Sequence, residues 1–252
     1  MIINVFLPCY NEEKNIGILI DQWIAQTKIL DDAGYQLKVY AIDDCSTDNT
    51  KKIITDKVEE YGKVVNLIEH KENKNLSGGL NTSIATFLNI GEEGDLMCLM
   101  DGDATHSPIY IHNMFAKMIE SKKDCIIASR YCKDSNVVGL AFYRKILSDF
   151  ARIYYSCILR VPGVKDYTCG YRLYNYSCVS SLAEKFGPDP IKVKSFACMM
   201  EFLYKIYLSG GTFGETGFEL RYDLKQGESK MRVGSTIKNS LSTALRLKKM
   251  RK

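Results

Sequence analysis

Along the first half of the chain, short continuous apolar runs alternate with longer stretches in which apolar residues recur every three or four positions. The runs predict strands over residues 2–8, 37–43, 64–70, 96–100 and 125–129. The stretches between them predict helices over 13–33, 48–61, 79–90 and 108–121. This βαβ rhythm specifies an α/β fold, with a mostly parallel sheet and helices on both faces. Beyond Arg130 the alternation relaxes into helices over 142–160 and 199–209 and an extended stretch over 212–221. No Pro/Ser linker, repeat or low-complexity tract interrupts the chain, so residues 1–231 are expected to form one domain with halves at 1–129 and 130–231.

Composition narrows the class without naming it. Apolar residues make up 46% of the 252 and charged residues 25%, which excludes a disordered or fibrous chain. The net charge of +4 is unevenly placed, because residues 230–252 carry eight Lys/Arg and no Asp/Glu. Basic charge confined to one end argues against general nucleic-acid binding, which spreads it over a folded face. After Lys230, Val233, Ile237, Leu241 and Leu245 recur every fourth position with Ala244 alongside, which predicts a C-terminal amphipathic basic helix over 232–252. Two readings stay open for it: packing on its own domain, or contact with an anionic membrane surface. None of the nine cysteines forms a C-x-x-C pair, and no run reaches the roughly 18 apolar residues of a spanning helix. With no signal-peptide pattern at the start, these features lead us to expect a cytoplasmic chain held peripherally at the cytoplasmic face of a membrane.

Three predicted strands end in polar clusters: Cys9-Tyr-Asn-Glu12, Asp44-Cys-Ser-Thr-Asp48 and Asp101-Gly-Asp103. Open α/β sheets bind ligands at those carboxyl ends, so the clusters are expected to share one crevice. Asp48 or Ser46 also suits a cap for the following helix. Two aspartates around a glycine suit a hard divalent cation, Mg²⁺ or Mn²⁺, which takes carboxylate and phosphate oxygens.

The ordered set Pro8-Cys-Tyr-Asn-Glu12, Asp43-Asp-Cys-Ser-Thr-Asp48, Asp101-Gly-Asp103 and Ser129-Arg-Tyr131 resembles the family 2 glycosyltransferases of GT-A fold. Asp166-Tyr-Thr-Cys-Gly-Tyr-Arg172, Met200-Glu201 and Gly227-Glu-Ser-Lys230 are similar to the dolichyl-phosphate mannosyltransferase and polyprenyl-phosphate glycosyltransferase branch. The resemblance implies a GDP- or UDP-linked sugar donor, bordered by Pro8, Tyr10, Asn11, Glu12, Ser46 and Gly79, with Asp43 or Asp44 meeting the base. It implies that Asp101, Gly102 and Asp103 serve diphosphate and metal. That branch places Gln two residues after its acidic pair; here Thr105 stands at that position as the third metal ligand, with a water or His106 as alternatives.

The implied reaction is an inverting, metal-dependent transfer of a hexose to a polyprenyl (dolichyl or undecaprenyl) phosphate. A phosphate acceptor is largely dianionic at neutral pH and needs positive charge rather than a strong base. Arg130, Arg144, Arg172, Arg221 and Lys230 supply that charge. Arg221, Ser229 and Lys230 flank a candidate lid, in which Gly227 permits the bend. Asp166 and Glu201 are expected to orient the arginines or, for a hydroxyl acceptor, to act as base. Two alternatives remain: transfer to a saccharide hydroxyl in polysaccharide or glycoprotein synthesis, and a non-catalytic nucleotide-sugar-binding subunit. A membrane-anchoring partner subunit is a further expected partner.

Overall fold

The computed structural model describes residues 1–139, 142–221, 223 and 233–251, without the side chains of 142–145 and 233–238. The elements follow in chain order as β1 (Ile2–Cys9), α1 (Ile16–Ile24), α2 (Thr27–Asp32), β2 (Gln36–Asp43), α3 (Thr50–Tyr61), β3 (Val65–Glu69) and α4 (Asn75–Ile90). Next come β4 (Leu96–Leu99), α5 (Ile111–Ser121), β5 (Cys125–Ala128), β6 (Asn136–Val138) and α6 (Phe142–Leu159). The chain continues through β7 (Arg172–Asn175), α7 (Tyr176–Phe186), α8 (Cys198–Leu208), β8 (Phe213–Thr216), β9 (Glu219–Arg221) and α9 (Val233–Lys249).

Seven strands form one sheet in the order β3-β2-β1-β4-β7-β5-β8. All its pairings are parallel except those of β7, which runs antiparallel to both β4 and β5. The sheet is therefore mixed, and its single reversed strand comes from a stretch in which the sequence predicts no element. Strands β6 and β9 form a separate parallel pair. The inner strands are covered on both faces, which is why β1 reads as an apolar run interrupted only by Asn4; from Ile3 to Leu7 every residue is buried. Phe6 stacks on Tyr40 at 5.0 Å, and Trp23 of α1 meets Tyr171 edge-on at 6.3 Å. Each such large side chain contributes about 1.5–3 kcal/mol by leaving water.

Three expectations change in detail. The helix predicted over 13–33 is two helices, broken where α1 ends at Ala25. Helix α7 is missing from the prediction; its start is marked by Asn175, whose side-chain oxygen accepts from the Cys178 amide at 2.9 Å. In α9, Ala244 and Leu247 are buried while Leu245 is 49% exposed. A strict four-residue repeat drifts around a helix of 3.6 residues per turn, so the packed face follows Leu241, Ala244 and Leu247 instead. Tyr154 of α6 donates to the Leu241 carbonyl at 3.2 Å, which fixes α9 against α6.

Candidate active site

Strand order reverses direction at β1, which lies between β2 on one side and β4 on the other, and open sheets of this kind hold ligands outside such a switch point. The register brings the strand ends level, with Cys9 opposite Asp43 and Phe6 opposite Leu99. Arg172, at the start of β7, lies opposite Leu99 and Ile127, so the reversed strand opens at the same edge. Asn11, Cys45 and Ala104 all have positive φ, at 54°, 62° and 55°. Each of the three strand-end loops thus holds one non-glycine residue in the sparsely populated left-handed region.

The first two loops are stitched together. The Asn11 amide donates to Ser46 Oγ at 2.9 Å, the Thr47 amide to Asn11 Oδ1 at 2.8 Å, and the Glu12 amide to Thr50 Oγ1 at 2.7 Å. Glu12 accepts from Asn15 Nδ2 at 2.8 Å. Ser46 is spent on that bridge, and Asp48 serves the start of α3, accepting from the Thr50 amide at 2.9 Å. The two adjacent aspartates of β2 differ sharply. Asp44 Oδ1 accepts from His70 Nδ1 at 2.7 Å and from the Lys74 amide at 2.8 Å, tying β2 to the loop before α4. Asp43 Oδ2 accepts from the Ser46 amide at 3.3 Å, but its Oδ1 is buried with no protein partner. A buried acceptor left unpaired costs about 1–3 kcal/mol, and a donor from a bound base would recover it. Pro8 and Gly79 meet face to face, since a Cβ on Gly79 would lie 2.8 Å from Pro8 Cβ. Gly79 therefore lets α4 approach the end of β1. Tyr10, 37% exposed, stands at the rim of the crevice.

The acidic pair follows β4. A Cβ on Gly102 would lie 2.9 Å from Cys9 Cβ, so this glycine lets the loop close on the end of β1. A Cβ on Gly170 would lie 2.7 Å from Asp101 Oδ1, which sets the 166–172 loop directly against that carboxylate. Thr105 donates to Asp103 Oδ1 through its hydroxyl at 2.7 Å and its amide at 3.2 Å. His106 is buried and stacked on Phe218 at 5.3 Å; its Nδ1 is 3.2 Å from Thr105 Oγ1 and its Nε2 3.6 Å from Cys169 Sγ. Burial, aided by the charge of Asp166, pushes the Cys169 thiol up to about 12, so it stays protonated. With the thiol as donor, His106 accepts at Nε2 and donates from Nδ1 to Thr105, whose own proton goes to Asp103. His106 thus lies behind the acidic pair.

Asp101 and Asp103 offer the hard oxygen donors that Mg²⁺ and Mn²⁺ prefer. Among the described residues no group of three or more His, Cys, Asp or Glu is placed to hold a metal ion. Two protein carboxylates with substrate phosphate oxygens and water suit Mg²⁺, which is held in this way at many phosphate sites. Gly170→Ala tests the geometry. The added methyl must displace Asp101, so we expect weaker Mn²⁺-dependent nucleotide binding by calorimetry, with metal-free unfolding close to that of the parent.

Cys169 also carries the set to the other side of the crevice. Its amide and that of Thr168 donate to Asp166 Oδ1 at 3.1 and 3.2 Å. Arg130 grips Asp166 with both arms, Nε to Oδ2 at 2.8 Å and Nη2 to Oδ1 at 2.6 Å. Burial would raise the Asp166 carboxyl, but the Arg130 charge and these bonds outweigh it and hold the group at about 2. Arg130 Nη2 also reaches Thr168 Oγ1 at 2.6 Å. Tyr131 lies between two guanidinium groups, Arg130 at 5.6 Å and Arg152 at 4.7 Å from its ring centre, and its hydroxyl is 2.6 Å from Ser148 Oγ. Thr168, Ser148 and Arg152 escaped the sequence reading. The spacing Arg144, Ser148, Arg152 at i, i+4, i+8 was the available signal.

Other anticipated residues do not join this group. Arg172 is fully buried and donates to the carbonyls of Met199 and Tyr167, both at 2.9 Å, so it braces the loop from inside. Glu201 accepts from the Lys192 and Val193 amides at 2.9 and 2.8 Å and pairs with Lys205 at 2.7 Å, fixing the chain before α8. These partners include none of the arginines. Arg221 pairs with Asp223 at 2.7 Å, while its amide donates to the Thr105 carbonyl at 3.2 Å, joining β9 to the acidic loop. The Arg144 side chain, Gly227, Ser229 and Lys230 lie outside the described residues.

The chain is 29% identical over 252 residues, 99% of its length, to a dolichol-phosphate mannosyltransferase of Pyrococcus furiosus; it spans 64% of that relative. It superposes on the crystal structure of mannosyl-3-phosphoglycerate synthase from Rubrobacter xylanophilus with a TM-score of 0.66 at 14% identity, covering 100% of this chain and 75% of that one. A Pyrobaculum calidifontis mannosyltransferase in complex with GDP-Man and Mn²⁺ superposes with a TM-score of 0.56 at 14% identity, covering 98% and 73%. These likenesses establish a GT-A-like α/β fold with a mixed sheet and flanking helices. Residues 4–181 match the profile of Glycosyl transferase family 2, and on that match, which spans most of its length, the chain belongs to this family.

Proposed function

We propose that the chain is an inverting hexosyltransferase that moves a sugar from a nucleotide-diphosphate donor to a polyprenyl phosphate. The donor lies over residues 1–129, with Asp43 Oδ1 receiving a base N–H and the Asp101 side holding the diphosphate. The acceptor lies against residues 130–231, with Arg130 presenting its guanidinium toward the phosphate. A bound Mg²⁺ or Mn²⁺, for which Asp101 and Asp103 are the ligands, supplies charge neutralisation of the departing diphosphate. Thr105 holds Asp103 in place through its hydroxyl and its amide.

The observation that carries this reading over a hydroxyl acceptor is the state of the two candidate bases. Transfer to a hydroxyl needs a group that takes its proton. Asp166 is held at about 2 by Arg130, which makes it a poor base, and both Glu201 oxygens are engaged by amides and Lys205. A phosphate dianion needs neither. It needs a fixed cation, and the Asp166 clamp gives Arg130 a defined position. The name of the Pyrococcus furiosus relative supports the same acceptor class, and the Mn²⁺ in the Pyrobaculum calidifontis complex supports the metal.

No described helix is long and apolar enough to cross a membrane. We place the protein peripherally on the cytoplasmic face of a membrane, with the basic end of α9 toward anionic lipid and a membrane-anchoring subunit as a further partner. The test is incubation of the purified chain and Mn²⁺ or Mg²⁺ with labelled nucleotide sugars and either undecaprenyl or dolichyl phosphate. The expected product is a chloroform-soluble labelled lipid. Transfer only to saccharide hydroxyls would sink the proposal.

A further inference from the structure

Helix α6 carries apolar side chains on both faces: Tyr155 and Leu159 are buried against the domain, and a second apolar row faces water. Among its described side chains the exposed ones are Ile146, Leu147, Phe150, Ile153 and Cys157, with Phe150 68% and Ile153 54% exposed. The opposite face carries Ser148 and Arg152 to Tyr131. Helix α3 shows the usual arrangement, exposing Lys51, Lys52, Asp56, Glu59 and Glu60. A row of large apolar side chains at i, i+4 and i+7 facing water marks a surface that something else covers.

Charge identifies the occupant. Helix α9, packed on α6 and α8, ends in Arg246, Lys248 and Lys249, with Arg251 beyond it. Between these helices runs a groove of about 730 Å³ with Ile158 and Leu245 along it and Arg160, Lys248, Lys249 and Arg251 at its edge. Residues 230–252 contain no acidic side chain to offset them. A second copy docked by two-fold symmetry on this surface would bring two basic ends together. An anionic bilayer matches both features at once, apolar residues entering the acyl boundary and cations meeting headgroups.

We infer that the outward face of α6, with the basic end of α9 beside it, is the surface by which the protein lies on an anionic lipid bilayer. Through Ser148 and Arg152 the inward face of the same helix holds Tyr131 next to Arg130. One element therefore joins the bilayer surface to the proposed acceptor site. The inference rests on the peripheral placement proposed above and deepens it by naming α6 as the contact surface; it does not depend on the transfer reaction.

The test uses the full chain and vesicles of phosphatidylcholine with or without phosphatidylglycerol. Phe150→Trp reports insertion, because the single native tryptophan, Trp23, is already buried. Its emission is expected to shift to the blue on adding phosphatidylglycerol vesicles and to be quenched by brominated acyl chains. Phe150→Ser with Ile153→Ser is expected to lower vesicle partitioning at least about tenfold, the least expected from withdrawing two large apolar side chains from lipid. Thermal unfolding and nucleotide binding of that variant should match the parent, since both side chains face solvent. Parent-like vesicle binding by the double variant, or unshifted emission from the Phe150→Trp variant, overturns the inference. So does a concentration-dependent dimer in light scattering that the double variant abolishes, which assigns the face to a second copy. Loss of sugar transfer with vesicle binding intact would count against the proposed reaction alone.

Discussion

Asp166→Ala is expected to cost about 3–5 kcal/mol of unfolding free energy, the range for removing one partner of a buried ion pair. The cause is what stays behind. Arg130 keeps its charge without its counterion, and the amides of Arg130, Thr168 and Cys169 lose a shared acceptor. Urea unfolding followed by circular dichroism measures the loss, and a cost under about 1 kcal/mol, the level of an exposed pair, would show that solvent compensates the site. The same pair has a signature in acid. The folded carboxyl titrates at about 2, below the ~3.9 of an unfolded aspartate. Its stabilisation is therefore complete above about pH 4 and lost as pH falls through about 2. A plot of stability against pH should be flatter across that window in Asp166→Ala than in the parent.

Asp101→Ala and Asp103→Ala are each expected to lower sugar transfer by about two to three orders of magnitude, the usual effect of removing one charge-stabilising group from a reacting centre. Thr105→Val tests whether the Thr105 hydroxyl serves the acidic pair. It removes a hydrogen bond to a charged acceptor, worth about 1.5–3 kcal/mol, and leaves Asp103 Oδ1 the longer 3.2 Å bond from the Thr105 amide. Activity should fall about ten- to a hundredfold, the Mn²⁺ concentration for half-maximal rate should rise, and Thr105→Ser should restore both. Parent-like metal dependence in Thr105→Val would remove the positioning role. Full activity in Asp103→Ala would remove the metal reading for the pair.

Much of the site was readable because its parts are local. A β-strand followed by a polar cluster places that cluster at a strand end whatever the rest of the fold does, so Cys9–Glu12, Asp43–Asp48 and Asp101–Asp103 could be assigned to one edge from their order. The helical spacing of Ser148 and Arg152 was a local signal too, but neither residue was assigned from the sequence. Arg172 and Glu201 could not be sorted in this way. A buried arginine donating to two carbonyls and an arginine facing a crevice look the same in sequence; only the chain packed around Arg172 distinguishes them. Asp43 and Asp44 posed the same difficulty, resolved by His70 and Lys74, which approach Asp44 from another loop.

Period and punctuation therefore settled the α/β class, the helices other than α7 over most of their length and the strand-end position of the acidic pair, because each depends on neighbours a few residues away. Long-range packing settled the reversed strand β7, the Arg130–Asp166 clamp across 36 residues and the link from Asp103 through His106 to Cys169. It also decided which face of α6 meets water. Along the chain that helix shows apolar residues all round, and which of them meet water is fixed only by the burial of Tyr155 and Leu159 and by Tyr131, which claims Ser148 and Arg152.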